Sequence, residues 1–116
     1  MTRTPVLALP NFKEPFTMEI DACQDGIGAV LMQKGQPIAY LSKALGEKHR
    51  SLPIYEKEFL ALIMAVERWR HYMQRGEFFI QTDHKSLAYL KEQNLHSDMQ
   101  RKAMTRLMGL QFKIIF

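Results

Sequence analysis

Two short apolar runs, each halted by an aspartate and separated by a long helical pattern, constrain this chain more than any other feature. The first is Phe16-Thr17-Met18-Glu19-Ile20-Asp21 and the second is Phe78-Phe79-Ile80-Gln81-Thr82-Asp83. A strand, a crossover helix and a second strand close right-handed, with the two strands parallel in one sheet. Their carboxyl ends then share one rim, and ligands of open α/β sheets bind at that rim. Two carboxylates side by side repel each other, and a divalent cation between them relieves the repulsion.

The neighbouring segments predict a mixed α/β domain. Phe16, Met18 and Ile20 alternate with Thr17, Glu19 and Asp21, the period of a strand with one apolar face; Asp21 projects away from that face. Gln24-Asp25-Gly26 turns the chain, Ile27 to Gln33 is a second strand, Lys34-Gly35-Gln36-Pro37 a turn, and Ile38 to Ser42 a third strand. The short connections make these three an antiparallel meander, and residues 43–51 are polar and loop-like. Pro5, Pro10 and Pro15 argue against helix or central strand in residues 1–15. These residues are expected to form an extended lead-in, with Val6, Leu7 and Leu9 resting on the domain.

The long helix is predicted from a Ser51 cap to about Gln74, with Pro53 in its first turn and Gly76 ending it. Tyr55, Phe59, Leu62, Val66, Trp69 and Met73 form its apolar stripe, while Lys57, Glu67, Arg68 and His71 point elsewhere. Glu58 lies about 60° from the stripe's centre at 100° per residue. A carboxylate there either reaches solvent, pairs with a nearby Lys or Arg, or binds a cation, because burial without compensation is costly. After the second strand, His84 to Gln93 suits a short helix. Ser97-Asp98-Met99-Gln100 has the form of a capping box, opening a basic helix that Gly109 breaks. Leu110, Phe112, Ile114 and Phe116 alternate as a last strand.

The 116 residues suffice for one domain with one core. The longest apolar run, Phe59 to Val66, is far short of the roughly 20 residues of a membrane span, so no membrane partner is expected. The lone Cys23 excludes an internal disulfide and favours a reducing, intracellular location, cytoplasmic or nuclear. The net charge of +4 is unevenly placed. Residues 1–83 are balanced, whereas Lys85, Lys91, Arg101, Lys102, Arg106 and Lys113 face only Glu92 and Asp98 in the last third. That distribution suits a polyanion such as nucleic acid, or a solvated helix face.

Asp21, Glu58 and Asp83 converge if the helix runs antiparallel to both strands, which brings its first turns to their carboxyl ends. Three hard oxygen donors suit Mg²⁺ or Mn²⁺ better than zinc. A pair of such ions about 4 Å apart activates water and stabilises the leaving oxygen of a phosphodiester. Lysines and arginines of the basic third would hold a phosphate backbone without reading sequence.

At these residues the chain resembles a known family. Ile20-Asp21-Ala22, Tyr55-Glu56-Lys57-Glu58-Phe59-Leu60-Ala61, Trp69-Arg70-His71-Tyr72 and Thr82-Asp83-His84-Lys85-Ser86-Leu87 stand in the order and spacing of the ribonuclease H domain of gypsy-type LTR-retrotransposon reverse transcriptases. Leu41-Ser42-Lys43-Ala44-Leu45 matches the segment after the third strand, and Pro5 to Pro10 is similar to the tether from the polymerase part. The resemblance implies a ribonuclease H-like fold, a five-strand mixed sheet with flanking helices, over residues 16–116, with residues 1–15 as the tether. It implies Mg²⁺-dependent endonucleolytic cleavage of the RNA strand of RNA–DNA hybrids, with two ions held by Asp21, Glu58 and Asp83. The hybrid would be held by Lys85, Arg101, Lys102 and Arg106.

Two departures qualify what the resemblance implies. Cys23 stands where the family more often has a small residue such as serine, and is read as a small packed thiol. The family's fourth carboxylate lies on a helix after the last strand, but no acidic residue follows Asp98 here. The expectation is a C-terminally shortened domain with weakened metal affinity and turnover, and with part of its sheet uncovered for a partner chain or self-association. The alternative function is a non-catalytic module that keeps the fold and binds nucleic acid or a protein.

Overall fold

A two-residue turn, Lys34-Gly35, sets the hairpin between the strands that end at Gln33 and begin at Gln36. Both residues have positive φ, 52° and 75°, which matches the twist of paired strands in a primed hairpin turn. The computed structural model describes residues 8–82 and 98–115. In chain order the elements are β1 (Phe16–Ala22), β2 (Gly26–Gln33), β3 (Gln36–Ala44), α1 (Glu47–Arg50), α2 (Ile54–Met73), β4 (Phe78–Gln81), α3 (Asp98–Leu107) and β5 (Phe112–Ile115). One five-stranded sheet has the order β3-β2-β1-β4-β5. The first three strands pair antiparallel, whereas β1 with β4 and β4 with β5 are parallel. The expected mixed sheet and the crossover through the long helix are therefore present.

Register explains the core. Met18 pairs with Leu31, Ile20 with Ala29, and Ala22 with Ile27, while Phe16 and Met18 lie beside Phe78 and Ile80. All are buried, forming the sheet face on which α2 packs. Phe59, Leu62, Val66, Trp69 and Met73 supply the helix side of that core. Full burial of each large apolar side chain contributes roughly 1.5–3 kcal/mol. The helix α3 packs on α2 through a polar clasp as well as apolar contact: Arg106 Nε meets Glu67 Oε1 at 2.6 Å, and Arg70 Nη1 donates to the Arg106 carbonyl at 2.7 Å. Gly109, with φ of 83°, ends α3 as expected. No helix among the described residues is long and apolar enough to cross a membrane.

Several local expectations change. Pro37 sits inside β3 and not in the turn; β3 is an edge strand, where a missing N–H costs no ladder bond. Residues 47–50 form a short helix where a loop was expected. Ser51 does not cap the long helix; Pro53 occupies that position without a side-chain bond, and Ser51 Oγ instead donates to the Lys48 carbonyl at 3.4 Å. Tyr55, placed on the apolar stripe, is exposed. Leu9 does not rest on the domain, being 89% exposed. Val6, Leu7, the helix expected at His84 to Gln93 and the Ser97 cap lie outside the described residues.

The lead-in is tied down by polar bonds. Buried Gln33 accepts from the Asn11 amide at 2.7 Å and donates to the carbonyls of Asn11 and Glu14 at 2.6 and 2.9 Å. Phe12 stacks on Tyr72, with centroids 5.6 Å apart, and Arg75 lies over the Phe12 ring. Losing a buried amide that serves three backbone groups costs about 1–3 kcal/mol. Gln33→Ala is therefore expected to lower the denaturation midpoint and open residues 11–15 to protease nicking; an unchanged cleavage pattern would contradict the clamp.

Candidate active site

Asp21 is the penultimate residue of β1, on the side opposite the core, and is exposed. Its Oδ1 accepts from the Ala22 amide at 3.0 Å. Its cross-strand partner is Gly28, so no neighbouring side chain from β2 screens the carboxylate. A Cβ at Gly28 would sit 3.4 Å from the Leu41 carbonyl oxygen, ordinary contact; what the glycine provides is an open floor beside Asp21.

Glu58 is completely buried, at 0% exposure. Of the alternatives open in the sequence, the solvated one is excluded. Its Oε2 accepts from Thr82 Oγ1 at 3.3 Å, and Thr82, also buried, is the residue just after β4. The first turns of α2 therefore meet the carboxyl end of β4, as the antiparallel crossover requires. A second bond fixes the same direction: Lys57 Nζ donates to the Gln24 carbonyl, in the turn after β1, at 2.9 Å.

Thr82 links the two carboxylates. It hydrogen-bonds Glu58, and it lines a cavity of about 250 Å³ together with Glu19, Ile20, Asp21 and Gln81. Glu19 and Gln81 face each other across the parallel pair, making the rim polar and acidic on the side of Asp21. Asp83 follows Thr82 directly in the chain but lies outside the described residues, as does Lys85. Among the described residues no group of three His, Cys, Asp or Glu side chains could hold a metal. Asp21 and Glu58 are oxygen donors, which fits a hard divalent cation and not a soft one.

Of the expected phosphate-binding residues, Arg101, Lys102 and Arg106 are exposed on α3. Arg101 is ion-paired with Asp98 within its own helix, and Arg106 with Glu67 of α2. Both pairs are solvent-exposed and cost little to open. Sequence reasoning missed Thr82 and Lys57. Thr82 could have been found from its place before Asp83, as the polar residue that leaves the apolar strand. Lys57 lies about 160° from the stripe's centre at 100° per residue, so the helical period gave no hint that it is buried.

Residues 11–109 match the family described as the RNase H-like domain found in reverse transcriptase. The Pol polyprotein of transposon 297 from Drosophila melanogaster is 36% identical over 112 residues, 97% of this chain and 11% of that protein. That of transposon gypsy, from the same fly, is 34% identical over 98 residues, 83% of this chain and 10% of that protein. The chain thus spans about a tenth of the length of these relatives. A foamy viral protease-reverse transcriptase solved with RNA/DNA hybrid superposes with a TM-score of 0.74 at 16% identity, over 93% of this chain and 16% of that one. RNase H1 of Halobacterium salinarum does so with a TM-score of 0.66 at 15% identity, over 87% and 85%. At such identities the structures speak for the fold, and the strand order, the crossover and the sequence matches agree with them: the chain belongs to the RNase H-like domain family of reverse transcriptases.

Proposed function

We propose that this domain is a divalent-metal-dependent ribonuclease H that cuts the RNA strand of RNA–DNA hybrids. The observation that carries the reading is the burial of Glu58 against Thr82, at the strand end where Asp21 shares a cavity with the same threonine. A carboxylate is costly to bury, and its placement beside a second carboxylate at a sheet's carboxyl rim suits a cation site. Asp21, Glu58 and Asp83 would hold Mg²⁺ or Mn²⁺. Such ions, when bound, lower the pKa of water and stabilise the leaving oxygen of a phosphodiester. The chain's own part is to fix the donors: Thr82 orients the Glu58 carboxylate, the Ala22 amide orients that of Asp21, and the glycine opposite Asp21 leaves room for a sugar-phosphate chain to approach.

The foamy viral relative by fold was solved with an RNA/DNA hybrid, which supports a hybrid as substrate here. The exposed face of α3 offers Arg101, Lys102 and Arg106, with Lys85 nearby in sequence to β4, as phosphate contacts. Residues 1–15 are read as the connection to the polymerase part of a parent polyprotein.

Incubation with a labelled hybrid and Mg²⁺ or Mn²⁺ tests the reading. Cleavage of the RNA strand that disappears in Asp83→Asn is expected; no cleavage, or cleavage that survives this change, would remove it. Affinity for the hybrid should fall steeply with salt, by roughly one log unit of slope per phosphate contact. Arg101→Ala should flatten that slope by about one contact. Salt-independent binding would remove the phosphate-backbone role of α3.

A further inference from the structure

We infer that Lys57 is a positioning residue for the rim: its buried ammonium staples the β1–β2 turn that walls the groove beside Asp21. The inference rests on the nuclease reading only for its kinetic consequence. Lys57 is 4% exposed and sits in the first turn of α2, next in sequence to Glu58. That is an unfavourable place for a cation. Burial penalises the charge, and the amino-terminal end of a helix carries positive potential. Among the described residues, the compensation is a long-range bond from Nζ to the Gln24 carbonyl oxygen, 2.9 Å away and 33 residues back in the chain.

The turn it reaches is held from other sides as well. Cys23 N–H donates to the Gly26 carbonyl at 2.9 Å, closing the turn on itself, and Leu45 N–H donates to the Asp25 carbonyl at 2.9 Å. Arg50 of α1 meets Asp25 Oδ1 at 3.1 Å, an exposed pair worth little. Among the described residues, the lysine's is the one hydrogen bond that ties the turn to α2, the helix that carries Glu58. The turn follows Asp21 by two residues, and a groove of about 460 Å³ runs beside it, lined by Asp21, Cys23, Asp25, Gly28, Ser42 and Lys43 among others. One lysine thus ties the wall next to one carboxylate to the helix that bears the other. A wall that moves presents substrate poorly, so the expected cost falls on binding before chemistry.

The lone cysteine makes a local test possible, because Cys23 is not the packed thiol expected from the sequence but is exposed, in the turn that follows β1. A nitroxide attached at Cys23 of the full chain reports the turn's mobility. Lys57→Met keeps the length and apolar stem but removes the ammonium; its label should become several-fold more mobile, and Lys57→Arg should restore the wild-type spectrum. Equal mobility in wild type and Lys57→Met overturns the inference. On the hybrid, Lys57→Met should raise KM about fivefold with kcat within about twofold, and Lys57→Arg should recover KM; a fall in kcat at constant KM overturns it. If the wild-type chain cleaves nothing, the nuclease reading fails while the label still decides the staple. If Lys57→Met does not fold, nitrogen-detected spectra of the wild type decide: a protected Lys57 ammonium supports the staple, and a freely exchanging one overturns it.

Discussion

Asp21→Asn is expected to reduce metal-dependent cleavage of an RNA–DNA hybrid by about 10²–10³-fold, the usual cost of losing one preorganised electrostatic group at a reacting centre. The fold should be untouched, because Asp21 is exposed on the side of β1 away from the core and its only described bond is to the next amide. The variant should therefore keep its melting temperature within a degree or two and its affinity for the hybrid within a few-fold. Steady-state cleavage alongside thermal melting checks both halves. A large drop in melting temperature would mean that Asp21 holds the strand end together and is not spared for chemistry.

Glu58→Met and Leu62→Ala, one turn apart on α2, are expected to separate function from stability. Leu62 is fully buried at the centre of the core. Its truncation leaves a cavity and should lower the unfolding free energy by about 2–5 kcal/mol, a large share of the roughly 5–15 kcal/mol typical of a domain. Glu58 is as deeply buried, yet replacing a buried ionic group by an apolar one of similar volume is often neutral or stabilising. Denaturant unfolding without divalent ions should therefore find Glu58→Met within about 1 kcal/mol of wild type, while cleavage falls by about 10²–10³-fold. A strong loss of stability in Glu58→Met would assign the carboxylate to the structure of the helix–sheet junction and not to the rim.

The sheet was legible because its strands declare themselves in period two. Phe16, Met18 and Ile20 alternate with polar residues, and the pairing with Leu31 and Ala29 buries that same set. The parallel β1–β4 pair followed from the length of the helical pattern between them, which only a crossover accommodates. Where the sequence misled, tertiary contact overrode a local rule. Pro37 reads as a turn residue but is tolerated in β3 because that strand is an edge. Tyr55 fits the apolar stripe but is exposed, while Lys57, on the wrong side of the stripe, is buried and bonded to a turn 33 residues earlier in the chain. The site was half legible. The aspartate at a strand end points to the rim from periodicity alone, and the structure puts Asp21 there. Glu58 could not be decided from the helix, because a flank position is buried or solvated according to what packs beside it. Here that neighbour is Thr82, at the end of a strand that starts 20 residues after Glu58.

The proposed metal site at the Asp21–Glu58 rim is tested most directly by Mn²⁺-induced line broadening in amide spectra of the chain, with or without turnover. The expected result is that sub-stoichiometric Mn²⁺ first erases the amide signals of Asp21, Ala22, Glu58 and Thr82, and that Asp21→Asn abolishes this selectivity. Broadening that begins instead at surface carboxylates remote from the rim, such as Glu14 or Glu47, or that spreads evenly over the spectrum, would contradict it.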